Sequence, residues 1–355
     1  MGTTRFDWGQ TPEGAVDLFI LESGEMKASI ATWGGVVTSL QVPDRTGALG
    51  EVTLGYASLD GYLADQCFFG CLVGRVANRI AQAHFHLDGR DYVLDRNNGA
   101  HQLHGGPQGF WNRLWQAQPG SRDGDPSLRL YLRSEDGDQG FPGSMDVVVD
   151  YTLSESGLRI HYAASTDAPT PVSLTNHMYF NLAGIGTKSV DCLGHRLQLE
   201  AEQVLEVDQD LIPSGRILPV AGTPLDFTRS ERIGARVNAD HPLLQLAQGY
   251  DHFYVARQGE GLARVAVVVE PVSGRRLELY TTCPGLQFYS GNHIPQGLAG
   301  RAGERYGRYS GFCLEPHGFV DAPNHPEFPS IIVRPGEAYK AETEYRFSVL
   351  TGADS

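Results

Sequence analysis

The sequence predicts an all-β protein, a large antiparallel β-sandwich with very little helix. Three observations carry that reading. Apolar and polar residues alternate with period two in segment after segment, and β-branched and aromatic residues fill those segments. The third is punctuation: 43 glycines and 20 prolines supply the many turns such a layout needs.

Taken in order, ASLDGYLADQ near residue 60 is a short helix candidate, and Phe85 to Leu94 is a hairpin around an Asp-Gly turn. SLRLYLRSEDG continues the alternation, and Asp146 to Thr166 reads as two strands around Ser156-Gly157. RSERIGARV near residue 232 is the second helix candidate. HRLQLEAEQVLEV, ARVAVVVEPVSGRRLELYTTC and EAYKAETEYRFSVL carry the strand pattern on to the C-terminus. No repeat, low-complexity tract or linker marks a boundary, so residues 1–355 are expected to form one domain, with one face curved into a groove.

Lys and Arg total 28 against 42 Asp and Glu, a formal charge of −14. That balance argues against a nucleic-acid backbone or an anionic membrane face as partner. No basic stretch followed by an apolar run opens the chain, and no segment reaches the roughly 18 apolar residues of a membrane span, so the cytoplasm is the expected location. Gly2 after Met1 imitates a myristoylation site, but Phe6 stands where Ser or Thr is required. The five cysteines (Cys67, Cys71, Cys192, Cys283, Cys313) form no C-x-x-C pair and read as reduced core residues. His84-x-His86 and His101-x-x-His104 have metal-like spacing but lack further ligands, so no metal is expected.

Glu315 stands out because it interrupts an apolar run, GFCLE, and is followed by Pro316, Pro323, Pro326 and Pro329. Those prolines fit neither a helix interior nor a central strand, which places Glu315 at a strand end. A rim glutamate paired with an arginine is the ordinary alternative for such a residue. Four other stretches break the alternation with polar residues. Asn78 and Arg79 sit between two apolar strands, Arg79 as either a buried ion-pair partner or a planar fork for two hydroxyls. His104 precedes Gly105 and Gly106, which permit close backbone approach. PVSLTNHMYFNLAG reads as a strand ending at Asn176 and His177, with His177 and Tyr179 on one face, either as core or as site. Asp251 and His252 lie in an aromatic strand, where a lone buried charge needs partners; Gln287 follows in TTCPGLQFYSGN. Together these residue types make the inventory of a sugar groove, with aromatic faces for the ring and charged groups for the hydroxyls.

GRVANRI (74–80), LHGG (103–106), NHMYFNLAG (176–184), GYDHF (249–253), PGLQFYSGN (284–292) and GFCLE with DAPNHPEFPS (311–330) resemble, in order, the motifs of the aldose 1-epimerase family. The resemblance implies a β-supersandwich, no cofactor, a small-molecule aldose as partner, and interconversion of α and β anomers. It implies that Glu315 is the general base, His177 the general acid, and Asn78, Arg79, His104, Tyr179, Asp251 and Gln287 the sugar-binding residues. Cys283, Pro316, His317 and Met178 depart from the family pattern, which leaves the preferred sugar open. The acting unit is expected to be a monomer or homodimer.

The chemistry agrees. Opening a cyclic hemiacetal needs one group to take the C1 hydroxyl proton and another to protonate the ring oxygen. Glutamate, with a reference pKa of about 4.3, is ionised at neutral pH, and histidine, at about 6.5, is roughly a quarter protonated at pH 7. Such a pair gives a bell-shaped pH profile. A glycoside hydrolase using Asp251 and Glu315 and a non-catalytic carbohydrate-binding module are the competing readings.

Overall fold

The computed structural model describes residues 2–186, 191–256 and 261–350. Three large antiparallel sheets share one apolar core. The largest has nine strands, in the order Gln116–Arg122, Asp125–Ser134, Met145–Ser154, Gly157–Thr166, Tyr339–Val349, Arg275–Thr281, Ala263–Val269, Arg196–Leu199 and Glu231–Arg232. Its inner face follows directly from period-two alternation: Leu128, Leu130 and Leu132 are buried while Arg129 and Arg133, on the other parity, are exposed. Arg129 lies opposite Asp150 and Arg133 opposite Asp146, with ion pairs of 2.8 and 3.0 Å on the outer face. A one-residue slip would bury those charges and expose the leucines, so the pattern fixes the register.

The second sheet has five strands in chain order, Gly2–Thr11, Gly14–Ser23, Met26–Ala31, Val37–Pro43 and Leu49–Glu51, and sends Phe19, Leu21, Ala28 and Ile30 into the core. The third has six: Tyr179–Phe180, Phe312–His317, Gly285–Tyr289, Asp251–Val255, Gln203–Val207 and Pro213–Pro219. Its core face carries Leu286, Phe288, Phe312 and Leu314. Alternation therefore leaves Gln287, Tyr289, Cys313 and Glu315 on the opposite face.

The sequence expectations meet this architecture unevenly. The hairpin at His84–Leu87 and Arg90–Val93 and the helix Leu59–Leu63 stand where expected. The turn expected at Ser156-Gly157 is one residue earlier: Gly157 already pairs with Ser154, leaving Glu155 and Ser156 at the tip. RSERIGARV forms the short strand Glu231–Arg232 and a single 3-10 turn at Ile233–Ala235, and the helix of that region is Pro242–Ala247, with Pro242 at its first turn. HRLQLEAEQVLEV is one run in sequence but two strands in different sheets, Arg196–Leu199 in the nine-stranded and Gln203–Val207 in the six-stranded. Glu315 is not at a strand end. Phe312–His317 continues through Pro316, because the neighbouring Tyr179–Phe180 reaches only Cys313 and leaves the strand open on that side. A proline there breaks no ladder to a second neighbour.

Candidate active site

Register builds the floor of the site. Residues opposite each other in antiparallel strands project to the same side, so the pairings Tyr179↔Cys313, Cys313↔Tyr289 and Tyr289↔Asp251 make one row across four strands. Glu315, Gln287 and Phe253 make the next row, and His317, Gly285 and Val255 the third. Three segments remote in sequence thus set Asp251, Gln287 and Glu315 side by side. Gln287 Nε2 donates to Asp251 Oδ1 at 2.6 Å, while Gln287 Oε1 is buried without a partner.

His177 arrives by a break in a strand. Thr175–Asn176 pairs with Leu72–Val73, and the chain then leaves the ladder before resuming as Tyr179–Phe180. Asn176 stabilises the break: its side chain donates to the Gly70 carbonyl (2.9 Å) and accepts from the Met178 N–H (3.1 Å). The His177 ring is stacked between Phe68 (6.0 Å, 26°) and Tyr179 (5.0 Å, 20°). Its Nε2 lies 3.5 Å from Glu315 Oε2.

The opposite wall is a clasp. Asn78 and His104 both take positive φ (64° and 52°), which lets the Asn78 N–H donate to His104 Nδ1 at 3.3 Å while the His104 N–H donates to the Asn78 carbonyl at 3.0 Å. Gly105 is required here: a Cβ on it would lie 1.8 Å from the Gly74 carbonyl oxygen. The Arg79 guanidinium is held by the amide oxygens of Asn98 (3.2 Å) and Asn78 (3.4 Å) rather than by a carboxylate. The pocket so formed has a volume of about 280 Å³. That is at the small end of the roughly 300–1,000 Å³ usual for ligand sites, the scale of one monosaccharide.

Burial governs the electrostatics. Glu315 is 3 % exposed and His177 4 %. Desolvation pushes the Glu315 carboxyl well above its usual range, Asp251 adding to the push and Arg79 opposing it. The same cause lowers His177 to about 3, with a further contribution from His317, and holds His104 well below its usual value. The sequence expectation of an ionised glutamate and a quarter-protonated histidine is thereby corrected: burial biases both groups towards their neutral forms. With Nδ1 accepting from Asn78, neutral His104 carries its proton on Nε2 and is a donor.

Residues 17–346 match the family model for aldose 1-epimerase. The rat protein named galactose mutarotase is 43% identical over 351 residues, covering 98% of this chain and 99% of that one. The chain belongs to the aldose 1-epimerase family. It is accordingly a carbohydrate epimerase. The Escherichia coli (strain K12) aldose 1-epimerase is 39% identical over 334 residues, 93% of this chain and 94% of that protein. The crystal structure of the GalM/aldose epimerase homologue from C. elegans has a TM-score of 0.85 at 29% identity, covering 95% of this chain and all of that one. The hydrolase and binding-module readings are not favoured by these relatives.

All eight residues that the epimerase motifs single out, His177, Glu315, Asn78, Arg79, His104, Tyr179, Asp251 and Gln287, line this one pocket. Sequence reasoning missed Phe68, Asn98, Tyr289 and His293, which line it too. Tyr289 was legible, being two residues beyond Gln287 and hence on the same strand face. Phe68 was not, since it is placed by a loop and a positive φ of 62°. None of Met178, Cys283, Pro316 and His317 lines the pocket. His317 is fully buried with its ring 5.1 Å from that of Phe253. The metal-like spacings separate: His84 and His86 both contact exposed Asp91, and His101 accepts from the Gln82 N–H. Among the described residues, potential metal ligands gather only as His104, His177 and Glu315, within 4.8 Å of one another.

No described helix is long and apolar enough to cross a membrane.

Proposed function

We propose that the protein interconverts the α and β anomers of free aldoses, with Glu315 as general base and His177 as general acid. The observation that carries this reading is the 3.5 Å approach of His177 Nε2 to Glu315 Oε2 at the base of a monosaccharide-sized pocket. Among the described residues no side-chain or backbone donor hydrogen-bonds the Glu315 carboxyl, beyond the 3.5 Å approach of His177, so its oxygens are available to a substrate. Glu315 removes the C1 hydroxyl proton as the bond from C1 to the ring oxygen breaks, and His177 protonates the ring oxygen, giving the open aldehyde. Rotation about C1 to C2 and attack of that hydroxyl on the other carbonyl face restore the ring, with the two roles reversed.

The neutral pair fits this exchange. A protonated carboxyl beside a neutral imidazole holds the same number of protons as a carboxylate beside an imidazolium, so the two forms differ only in where one proton sits. Sugar hydroxyls that hydrogen-bond the charged forms favour ionisation as substrate enters. The two limbs of the pH profile then belong to the pair rather than to either residue. Two positioned groups of this kind supply about 10² to 10⁴ in rate each, with no hydride acceptor or nucleophile in the sequence of bonds made and broken.

Arg79 and the unpartnered Gln287 Oε1 offer a donor and an acceptor to the hydroxyls, and Asp251, fixed by Gln287, offers another acceptor. His104 Nε2–H is a further donor. Asn78 acts on the sugar mainly through the Arg79 guanidinium it holds. The eight side chains complete one pocket within a single chain, so no partner subunit is needed to build it, and we take residues 1–355 as one catalytic domain acting as a monomer or homodimer. Five free cysteines support action in the reducing cytoplasm. Polarimetry on freshly dissolved α-glucose or α-galactose tests the reading, and a panel adding xylose, arabinose and fucose assigns the preferred aldose. Anomer exchange left at the buffer rate rejects the assignment.

A further inference from the structure

His177 must change its protonation state during each turnover, yet only one ring nitrogen faces Glu315. The other, Nδ1, lies 3.5 Å from the Cys313 thiol. We propose that Cys313 is a positioning residue for His177, its thiol holding Nδ1 in both protonation states and so keeping the transferable proton on Nε2. The inference rests on the acid role proposed for His177.

The strand supplies both partners at once. Cys313 precedes Glu315 by two residues on the same face, so one strand delivers the base to Nε2 and the thiol to Nδ1. A thiol can donate and accept. Against neutral imidazole the S–H donates to Nδ1, leaving the ring's own N–H on Nε2. Against imidazolium the sulfur accepts from Nδ1–H. Neither state strands a buried polar atom, whereas a carbonyl would serve only the charged ring and an amide N–H only the neutral one.

The surroundings keep the thiol in that role. Cys313 is fully buried, and burial together with the charges of Glu315 and Asp251 raises it well above the ordinary thiol range, so it does not become a thiolate that would trap the imidazolium. A hydrogen bond from the Tyr179 side chain opposes that rise, but burial remains the larger influence on the thiol. The other groups around His177 are each accounted for. Phe68 and Tyr179 cover its two faces, and His104 meets it edge-on at 5.1 Å. His317 is itself lowered to about 4 by burial, and when protonated it disfavours a second positive charge on His177. The residue's own backbone favours the protonated ring.

Two readouts test the proposal. In sugar-free, ¹⁵N-labelled protein at pH 7, with the His177 ring signals assigned by their loss in His177→Asn, the neutral ring is expected to carry its proton on Nε2; a proton on Nδ1 overturns the proposal. In polarimetry, Cys313→Ala is expected to lower kcat about tenfold, leave KM within about twofold, and move the limb of the pH profile to which His177 contributes. Cys313→Ser, which keeps a donor and acceptor in the same place, is expected to restore kcat to within about threefold of the unmodified protein. A Cys313→Ala enzyme with unchanged kcat and pH profile overturns the proposal, as does a folded Cys313→Ser enzyme as slow as the alanine variant. If Cys313→Ala does not fold, the serine variant and the ring signals still decide. The ring signals need no turnover, so they stand or fall apart from the epimerase reading, which fails if the unmodified chain does not speed anomer exchange.

Discussion

Two kinds of buried charge occur in this molecule, and they are treated oppositely. Arg75 is 2 % exposed and donates to Ser134 Oγ and to the carbonyls of Ser134, Glu135 and Pro142, at 2.8 to 3.2 Å. Arg275, 3 % exposed, donates to the carbonyls of Val42, Leu182 and Ala48, joining the five-stranded sheet to the nine-stranded one. Glu315 is equally buried, yet its nearest charge-bearing partner is His177 at 3.5 Å. The difference teaches how to tell structure from function here. A buried ion whose hydrogen-bonding capacity is filled from the backbone stabilises the fold, whereas one left open lowers stability and is kept for a substrate. Arg75 and Arg79 make the point within a single motif, GRVANRI: the first is saturated and turned inwards, the second is half-buried and lines the pocket.

The contrast breaks most sharply at Glu315. Glu315→Gln is expected to lower kcat about 10² to 10⁴-fold without lowering the melting temperature, because it removes a carboxyl whose charged form burial disfavours. A variant that loses stability along with activity would place Glu315 among the structural ions. The sign with pH is definite. A carboxyl raised above its unfolded value of 4.5 contributes stability below that value and loses it as pH rises through the folded value. Glu315→Gln should therefore gain more relative to the unmodified protein at pH 8 than at pH 4, as urea titrations at the two pH values will show.

Arg275→Met should behave in the opposite way. It removes the guanidinium's hydrogen bonds to the carbonyls of Val42, Leu182 and Ala48, each worth about 1.5–3 kcal/mol in chemical denaturation, while Ser273 Oγ still donates to Leu182 and the Asp44 N–H to Ala48. The kcat of the folded fraction should stay within about twofold, and a larger loss would show that the two sheets are coupled through this residue to the site.

Asp251→Asn sharpens the comparison by leaving a neutral residue beside Glu315. With one negative charge fewer, the Glu315 carboxyl ionises more readily, so the lower limb of the kcat profile should move to lower pH. A lost charged hydrogen bond to the sugar should raise KM about tenfold. A profile that moves to higher pH would contradict the electrostatic account.

The smallest effect per residue concerns the buried histidines. His177 is lowered to about 3 and His195, His252 and His317 to about 4, all chiefly by burial. In the unfolded chain they titrate near 6.5, so on acidification the unfolded state takes up protons first. The stability these neutral rings confer is complete above pH 6.5 and is lost as pH falls towards 4. Proton uptake on unfolding, measured by calorimetry in buffers of different ionisation heat, should rise across that window and fall in a His252→Asn variant.

Much of this was legible before any coordinates, because alternation and turn chemistry are local. The hairpin at His84–Leu87 and Arg90–Val93 needed only an Asp-Gly pair between alternating runs, and the leucines and arginines of Asp125–Ser134 announced their own faces. The site residues were legible as types, since an acid in GFCLE or GYDHF has no reason to be there unless something pairs with it. The shift of HRLQLEAEQVLEV from one sheet to another was not, because both halves alternate alike and nothing local says which neighbour each will find. Phe68 escaped for a similar reason: its place over His177 depends on a loop anchored by Asp65, which accepts from the Cys67 and Phe69 N–H groups.

The sequence alone determined the strands, the motif-bearing residues and the family they resemble, since each is written in spacing or in residue type. Tertiary structure alone decided that Glu315 lies within a strand, that His177 meets it at 3.5 Å with a thiol behind, and that burial sets both groups towards their neutral forms. Register, desolvation and ring orientation arise between segments up to hundreds of residues apart, and a linear pattern holds no measure of the distance or the dielectric between them.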